Sequence, residues 1–256
     1  MHQDYPILEH DATRKAMIEP GRSPKIRDTF PQQCVICFFQ NVIDGLEERG
    51  LLTEVGQIKT EMAVHRLFTF QLREHTIGLL QPGIGAPLAA TFLENAIARG
   101  ATRFVACGGA GALDADLTVG HLIVPTSALR DEGTSYHYLP PSRNVEPSPK
   151  AVAAIRSVLN DADVPFVEGK VWTTDAFFRE TRPKVAHRKA EGCICVDMEA
   201  SAFFAVAQFR NVQFGHILYA GDSLASDEWD HRGWDKQTSL REKLLWLAAE
   251  ACVAME

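Results

Sequence analysis

The sequence predicts an α/β layered fold with a mixed, largely buried central sheet. Three observations predict it. Apolar runs of strand length alternate along the chain with segments of helical period. Two glycine-rich stretches, Gly83-Ile84-Gly85 and Gly108-Gly109-Ala110-Gly111, fall at the ends of such runs. The chain has 256 residues, 46% of them hydrophobic, enough for one large domain with a sizeable core.

Residues 1–33 are polar and punctuated by Pro6, Pro20, Pro24 and Pro31. They read as an extended N-terminal arm lying on the domain or on a neighbouring subunit, and 34–256 as a single domain. Cys34–Phe39 is the first buried strand. Val64–Leu72 and Thr76–Gln81 are two strands joined by a turn at Arg73-Glu74-His75. After the break at Pro82–Pro87, residues 87–99 follow a helical period: Leu88, Ala89, Phe92, Leu93, Ala96 and Ile97 share one face, and Gly100 stops the helix. Arg103–Cys107 is a short strand running into the second glycine-rich stretch, and Leu122–Pro125 is another. Pro149–Leu159 is helical and Glu168–Thr173 a strand. The strand Ile194–Val196 precedes a helix over Glu199–Phe209. Phe214–Ala220 is the last strand and Thr238–Met255 a long closing helix.

Composition narrows the function. The formal net charge of −7 excludes a broad nucleic-acid surface, which needs a basic stripe. No apolar run reaches the ~18 residues of a membrane span, and Met1–Pro6 lacks the basic-then-apolar pattern of a signal peptide. A cytoplasmic enzyme is the expectation. The Cys34-x-x-Cys37 and Cys193-x-Cys195 spacings sit in apolar strand-like runs, so they read as core rather than metal ligands.

The candidate chemistry lies in the acidic segments. Asp197 and Glu199 stand at the mouth of the apolar helix, and a carboxylate leaving water needs donors. Ligand hydroxyls would serve; simple helix-dipole stabilisation would explain Glu199 alone. Asp222 follows an apolar strand in Gly221-Asp222-Ser223 and reads either as a turn residue or as a general acid. Gly108 and Gly109 permit close approach of a ligand or of another backbone. The Gly83-Ile84-Gly85 turn suits an anion at a helix start, or merely a tight turn. Phe177 and Phe178 form a stacking face or part of the core. Arg66 lies in a strand-like run, as an oxyanion ligand or an exposed edge residue. Arg130–Tyr138 is a loop too dense in polar and aromatic groups for a plain connection.

These segments together resemble the nucleoside phosphorylases of the purine and uridine phosphorylase family, from about Cys34 to the end. Gly83-Ile84-Gly85-Ala86-Pro87 is similar to the family's Gly-Ile-Gly-Gly-Pro turn. Ala106–Leu113 is similar to its second glycine-rich loop, Arg130–Tyr138 to its Arg-x-Asp-Gly-x-Ser-x-His segment, and Asp197-Met198-Glu199 to its Glu-Met-Glu ribose motif. The resemblance implies a three-layer α/β/α sandwich whose mixed sheet forms a distorted barrel. It implies that Glu199 bonds the ribose 2′-hydroxyl, with Asp197 beside it, that Met198 packs on the sugar and Phe177 on the base, and that Asp222 is the catalytic acid of the purine-specific members. Arg182 lies close in register to an arginine that holds uracil in uridine phosphorylases. No metal or organic cofactor is implied. The partners are a nucleoside and phosphate, and the chain would form a homo-oligomer, a dimer or trimer of dimers. His10 on the arm is a residue to place against a neighbour's sugar.

Three departures stand out. Where phosphorolytic members carry Gly-Asp-Pro-x-Arg after the first strand, this chain has Phe38-Phe39-Gln40-Asn41-Val42. Ala106 replaces an arginine before the second glycine-rich loop, and Gly109 a Ser or Thr within it. Arg66 matches the arginine that reaches a neighbouring subunit's phosphate. The expected activity is cleavage of the N-glycosidic bond of a purine nucleoside by phosphate, giving free base and ribose 1-phosphate, in the service of purine salvage. Water as acceptor and a non-catalytic nucleoside-binding homologue are the alternatives.

Overall fold

A computed structural model describes residues 4–20 and 30–256. The part of the expected arm at 1–3 and 21–29, Pro24 included, lies outside the described residues.

Strand β1 (Gln33–Cys37) is apolar on both faces and therefore runs in the middle of the sheet. It pairs in parallel with β4 (His75–Leu80) and β5 (Arg103–Ala112). Beyond β4 follow β3 (Val64–Leu72) and the edge strand β2 (Thr53–Lys59), both antiparallel. On its other side β5 meets β10 (Gln213–Ser223) in parallel and β9 (Cys193–Asp197) antiparallel. Strands β6 (Leu122–Asp131) and β8 (Phe166–Thr174) join β10 to β9, so five strands close into a mixed barrel, with the short β7 (Asn144–Val145) paired to β6. This is the expected sandwich with its distorted barrel.

Helices cover both faces. One core unites the sheet with α1 (Gln40–Glu48), α3 (Pro149–Asp161) and α6 (Thr238–Val253) through residues such as Ile43, Leu46, Ile155 and Leu244. The other packs α2 (Ala86–Ala98) and α5 (Ala200–Arg210) on the opposite face through Phe92, Leu93, Phe203 and Phe204. Helix α4 (Arg182–Ala190) covers Trp172 and Cys193 through Val185. Pro87, Pro149 and Pro183 sit in the first turns of α2, α3 and α4, where a missing N–H costs nothing.

Several expected boundaries move. The second glycine-rich stretch is not a loop: β5 runs through it to Ala112, because Gly108–Ala110 pair with Leu218–Ala220 and Gly111-Ala112 with Val196-Cys195. Strand β6 continues past Pro125 to Asp131, absorbing the proline at a register shift opposite β8. Helix α5 starts at Ala200, with Glu199 as its N-cap. Helices α1 and α4 and strand β2 are additions to the elements read above; β2 is mostly exposed and lacks an apolar run.

The described part of the arm lies on its own chain. Arg14 stacks over Phe209, 5.2 Å from the ring centroid, and donates to the Phe209 carbonyl at the end of α5. Glu19 pairs with Arg210, and Phe30 buries its ring against Gly78. His10 follows a 3-10 turn at Pro6–Leu8 and is half-buried. All six cysteines are buried and unpaired. No helix among the described residues is long and apolar enough to cross a membrane.

Candidate active site

The crossing of β9 over the end of β5 builds the site. Val196 lies opposite Gly111, which brings Asp197, Met198 and Glu199 beside the glycine-rich half of β5. Only glycine fits at 111: a Cβ there would stand 2.7 Å from a Leu224 methyl and 2.9 Å from a Val196 methyl.

Asp197 and Glu199 are 6% and 7% exposed. The Thr173 hydroxyl donates to Asp197 Oδ1 at 2.7 Å, and the Ala200 N–H donates to Oδ2 at 2.8 Å, capping α5. Glu199 Oε1 accepts the Gly85 N–H at 2.6 Å, and Oε2 accepts the Met198 N–H at 3.3 Å. Gly85 thus joins the Gly83-Ile84-Gly85 turn to the acidic motif, a contact that a sequence separation of 114 residues hides. Burial raises both carboxyls above the ordinary range, and the charge of Asp197 adds to the rise of Glu199, which reaches about 8. The Thr173 and Ala200 donors hold Asp197 lower.

Gly83 sets the turn. Its φ of +73° is a left-handed conformation, and a Cβ would fall 2.2 Å from a Leu88 methyl carbon. Gly83→Ala is expected to cost about 1–3 kcal/mol, measured as a lower thermal midpoint.

Asp222 is not in a turn after its strand. The pairing of β10 with β5 shifts register between Ala220 and Ser223, so Gly221-Asp222 form a bulge inside β10. Bulges re-aim side chains; here Asp222 Oδ1 comes within 3.6 Å of where a Cβ on Gly111 would lie. The Trp229 indole N–H donates to Oδ2 at 2.7 Å. Glu180, which the reading above did not select, stands nearby: burial, then the Asp222 charge, pushes its carboxyl up to about 7. Glu180, Arg182, Leu224 and Trp229 line a cavity of about 570 Å³. Phe177, after β8, is half exposed and packed on Phe178 with ring centroids 4.0 Å apart.

Among the described residues, the side chains nearest the glycine-rich half of β5 are not cationic. A Cβ on Gly108 would meet the Phe38 ring at 3.1 Å and His216 Nε2 at 3.5 Å; one on Gly109 would meet the Tyr219 ring at 3.3 Å. His216 lies opposite Ala106 on the neighbouring strand, so it fills the space an arginine at 106 would claim. It is 1% exposed, lies parallel to the Phe38 ring, and has both ring nitrogens unpartnered among the described residues. Burial depresses its pKa to about 3, so it is neutral. Arg66 is elsewhere, on β3, its guanidinium held by Glu54 at 2.6 Å and by Glu47.

The polar loop at 130–138 is a scaffold. Arg130 is buried, bonds the Ser135 and Ser142 hydroxyls and the Leu139 and Pro140 carbonyls, and stacks on Tyr136. Glu132 accepts from the Ser135 N–H and the Ser201 hydroxyl, while the Ser201 N–H donates to Thr173. This chain of bonds fixes the loop and the start of α5 around Asp197. A larger groove of about 670 Å³ between α3 and α6 holds carboxylates already paired, Glu242 with Arg49 and Glu250 with Arg73.

The family model described as the phosphorylase superfamily matches residues 33–253. A guanosine phosphorylase of Halorubrum lacusprofundi is 31% identical over 161 residues, 63% of this chain and 66% of that protein. A uridine phosphorylase of Treponema pallidum is 28% identical over 162 residues, 59% of this chain and 63% of that protein. The chain thus spans slightly less than two thirds of these relatives' length. Among solved structures, a purine nucleoside phosphorylase of Toxoplasma gondii in complex with immucillin-H superposes with a TM-score of 0.76 at 21% identity, covering 93% of this chain and 97% of that one. An AMP nucleosidase of Bacteroides thetaiotaomicron gives 0.68 at 21% identity, covering 87% of each chain. These likenesses share the fold. With its fold, its glycine turns and its acidic motif at the β9–α5 junction, the chain belongs to the phosphorylase superfamily.

Proposed function

We propose that this protein cleaves the N-glycosidic bond of a purine nucleoside. The observation that carries this reading is the buried pair Asp197 and Glu199, each oxygen held by a backbone or hydroxyl donor yet both pKa values raised. Such a pair has no cationic partner among the described residues and is relieved when ribose hydroxyls donate to it. Glu199 takes the hydroxyl bonds and, with Asp197, faces the positive charge that grows on the sugar as the bond to the base stretches. Met198 packs on the sugar, Phe177 closes over the base, and Asp222, ionised in the free protein, takes up a proton as the purine binds and passes it to N7 of the leaving base.

Phosphate is the acceptor in the family pattern and in the names of the two sequence relatives. It would rest on the backbone of Gly108 and Gly109 and yield ribose 1-phosphate. Water is the second reading, favoured by one observation: Phe38 and neutral His216 line the glycine-rich strand where cations would be expected, and Arg66 is bound to Glu47 and Glu54. In either case no metal or organic cofactor is needed, and the protein acts as a cytoplasmic homo-oligomer in nucleoside metabolism.

The test is base release from inosine, adenosine, guanosine, uridine and methylthioadenosine, each with and without phosphate. Release that requires phosphate supports phosphorolysis. Equal release without it supports hydrolysis to free ribose. Tight binding of inosine with no release over hours would leave a nucleoside-binding protein.

A further inference from the structure

Resting on the purine reading, we infer that Glu180 is the residue that reads the 6-substituent of the base, taking 6-oxopurines when protonated and 6-aminopurines when ionised. Three observations place it. Glu180 lines the 570 Å³ cavity together with Arg182, Leu224 and Trp229. Its carboxyl makes no hydrogen bond or ion pair among the described residues, although the residue is half-buried. Trp229, on the same wall, bonds Asp222, and Asp222 is the charge that bears most on Glu180. A half-buried carboxyl left unpartnered against a cavity is a group waiting for a ligand donor or acceptor.

The purine edge supplies both. N7 and the 6-substituent are adjacent on one side of the ring. With Asp222 at N7, a carboxyl beside it meets position 6. A 6-oxo group only accepts, so it needs Glu180 to hold its proton; a 6-amino group donates, so the carboxylate serves it best and the carbonyl oxygen of the protonated carboxyl less well. Glu180 can present either form close to neutrality, because burial and the Asp222 charge bring it to about 7. The other charged groups around it are Lys184, which draws it down, and Arg182, Lys189, Asp227 and Glu228 on the cavity wall. The preference between the two base classes therefore shifts toward 6-aminopurines as pH rises.

The experiment measures kcat/KM for inosine and adenosine from about pH 5.5 to about pH 8.5, in the wild type and in Glu180→Gln. The ratio cancels every ionisation common to both substrates, that of Glu199 included. In the wild type the inosine-to-adenosine ratio is expected to fall at least ~10-fold across this range, the worth of one hydrogen bond to a charged group. In the variant it is expected to stay level within about twofold, since an amide both donates and accepts at every pH. A level wild-type ratio, or a fall that survives in Glu180→Gln, overturns the inference. If no nucleoside releases its base, the catalytic reading fails separately, and the same ratio is read from dissociation constants. A fall there still supports Glu180, and a level ratio rejects it.

Discussion

Glu199→Gln is expected to lower kcat/KM by about 10²–10³-fold while making the protein more stable above neutral pH. The loss follows from the hydroxyl contacts. A hydrogen bond to an ionised acceptor is worth about 1.5–3 kcal/mol, and a neutral amide cannot face a developing ribosyl cation with charge. The gain follows from linkage. The folded pKa of Glu199, about 8, stands above the ordinary 4.5. The folded protein therefore binds the proton more tightly than the unfolded chain does, and stability declines as pH rises from about 4.5 to about 8. Glutamine removes that ionisation, so its thermal midpoint should be nearly level across this window and exceed the wild type by roughly 5 °C at pH 8.5. Below about pH 5 the two proteins should coincide, apart from a cost of about 1 kcal/mol where the new amide meets the Met198 N–H. The wild type is expected to carry the complementary signature, a kcat/KM that rises with pH toward about 8 as Glu199 ionises. Melting curves at pH 5, 7 and 8.5 beside initial rates decide the matter. A variant that loses stability at every pH would mean that the Glu199 carboxyl serves only to hold the Gly85 and Met198 N–H groups. Opposite movements of activity and stability mark a group kept for function at the expense of the fold.

How much of this was legible in the sequence depends on what holds each element. Strands β1, β4 and β10 sit inside the sheet and show as apolar runs, that of β10 broken only by His216, which is why their boundaries lie within a few residues of those read from Cys34, Thr76 and Phe214. The amphipathic faces of α2 and α3 are equally plain. Strand β2 is not, because its hydrogen bonds come from β3 and its side chains face solvent. The glycine-rich stretch of β5 was legible as a place of close approach but not as a strand: glycine's weak strand preference is overruled by pairing to β10 and β9, and only the folded barrel shows which side chains fill the space the glycines leave. The acidic motif announced itself through burial cost. The Gly85 donor to Glu199, the Thr173–Ser201–Glu132 chain and Glu180 did not, since each depends on residues far apart in sequence. Arg66 shows another contact that the sequence hides: within its own chain its guanidinium is held by Glu47 and Glu54, one on α1 and one on β2. His216 gave one signal that could have been used: a histidine in a strand otherwise apolar from Phe214 to Ala220.

Asp222→Asn is expected to lower kcat for purine nucleosides by about 10²–10³-fold with KM changed by less than about threefold. The range is that of a positioned general acid. The geometry makes this variant a clean probe of proton transfer. The Trp229 indole donates to one carboxyl oxygen at 2.7 Å and fixes its orientation, leaving the other for the base. Asparagine can keep the same pose, with its carbonyl oxygen accepting the Trp229 N–H and its amide group facing N7. That amide still donates a hydrogen bond to N7, so the bound nucleoside is held nearly as before; it has no proton to give up as the bond to the sugar breaks. The loss should therefore appear in kcat, the mark of an interaction made only in the transition state. Two controls separate transfer from simple damage. Trp229→Phe leaves the acid in place but frees its rotation, and should cost less, about tenfold in kcat. Any uridine turnover should be nearly indifferent to Asp222→Asn, because a pyrimidine presents no N7. Should purine turnover survive Asp222→Asn undiminished, the departing base must take its proton from solvent, and the bulge at Gly221-Asp222 would shape the pocket without entering the chemistry.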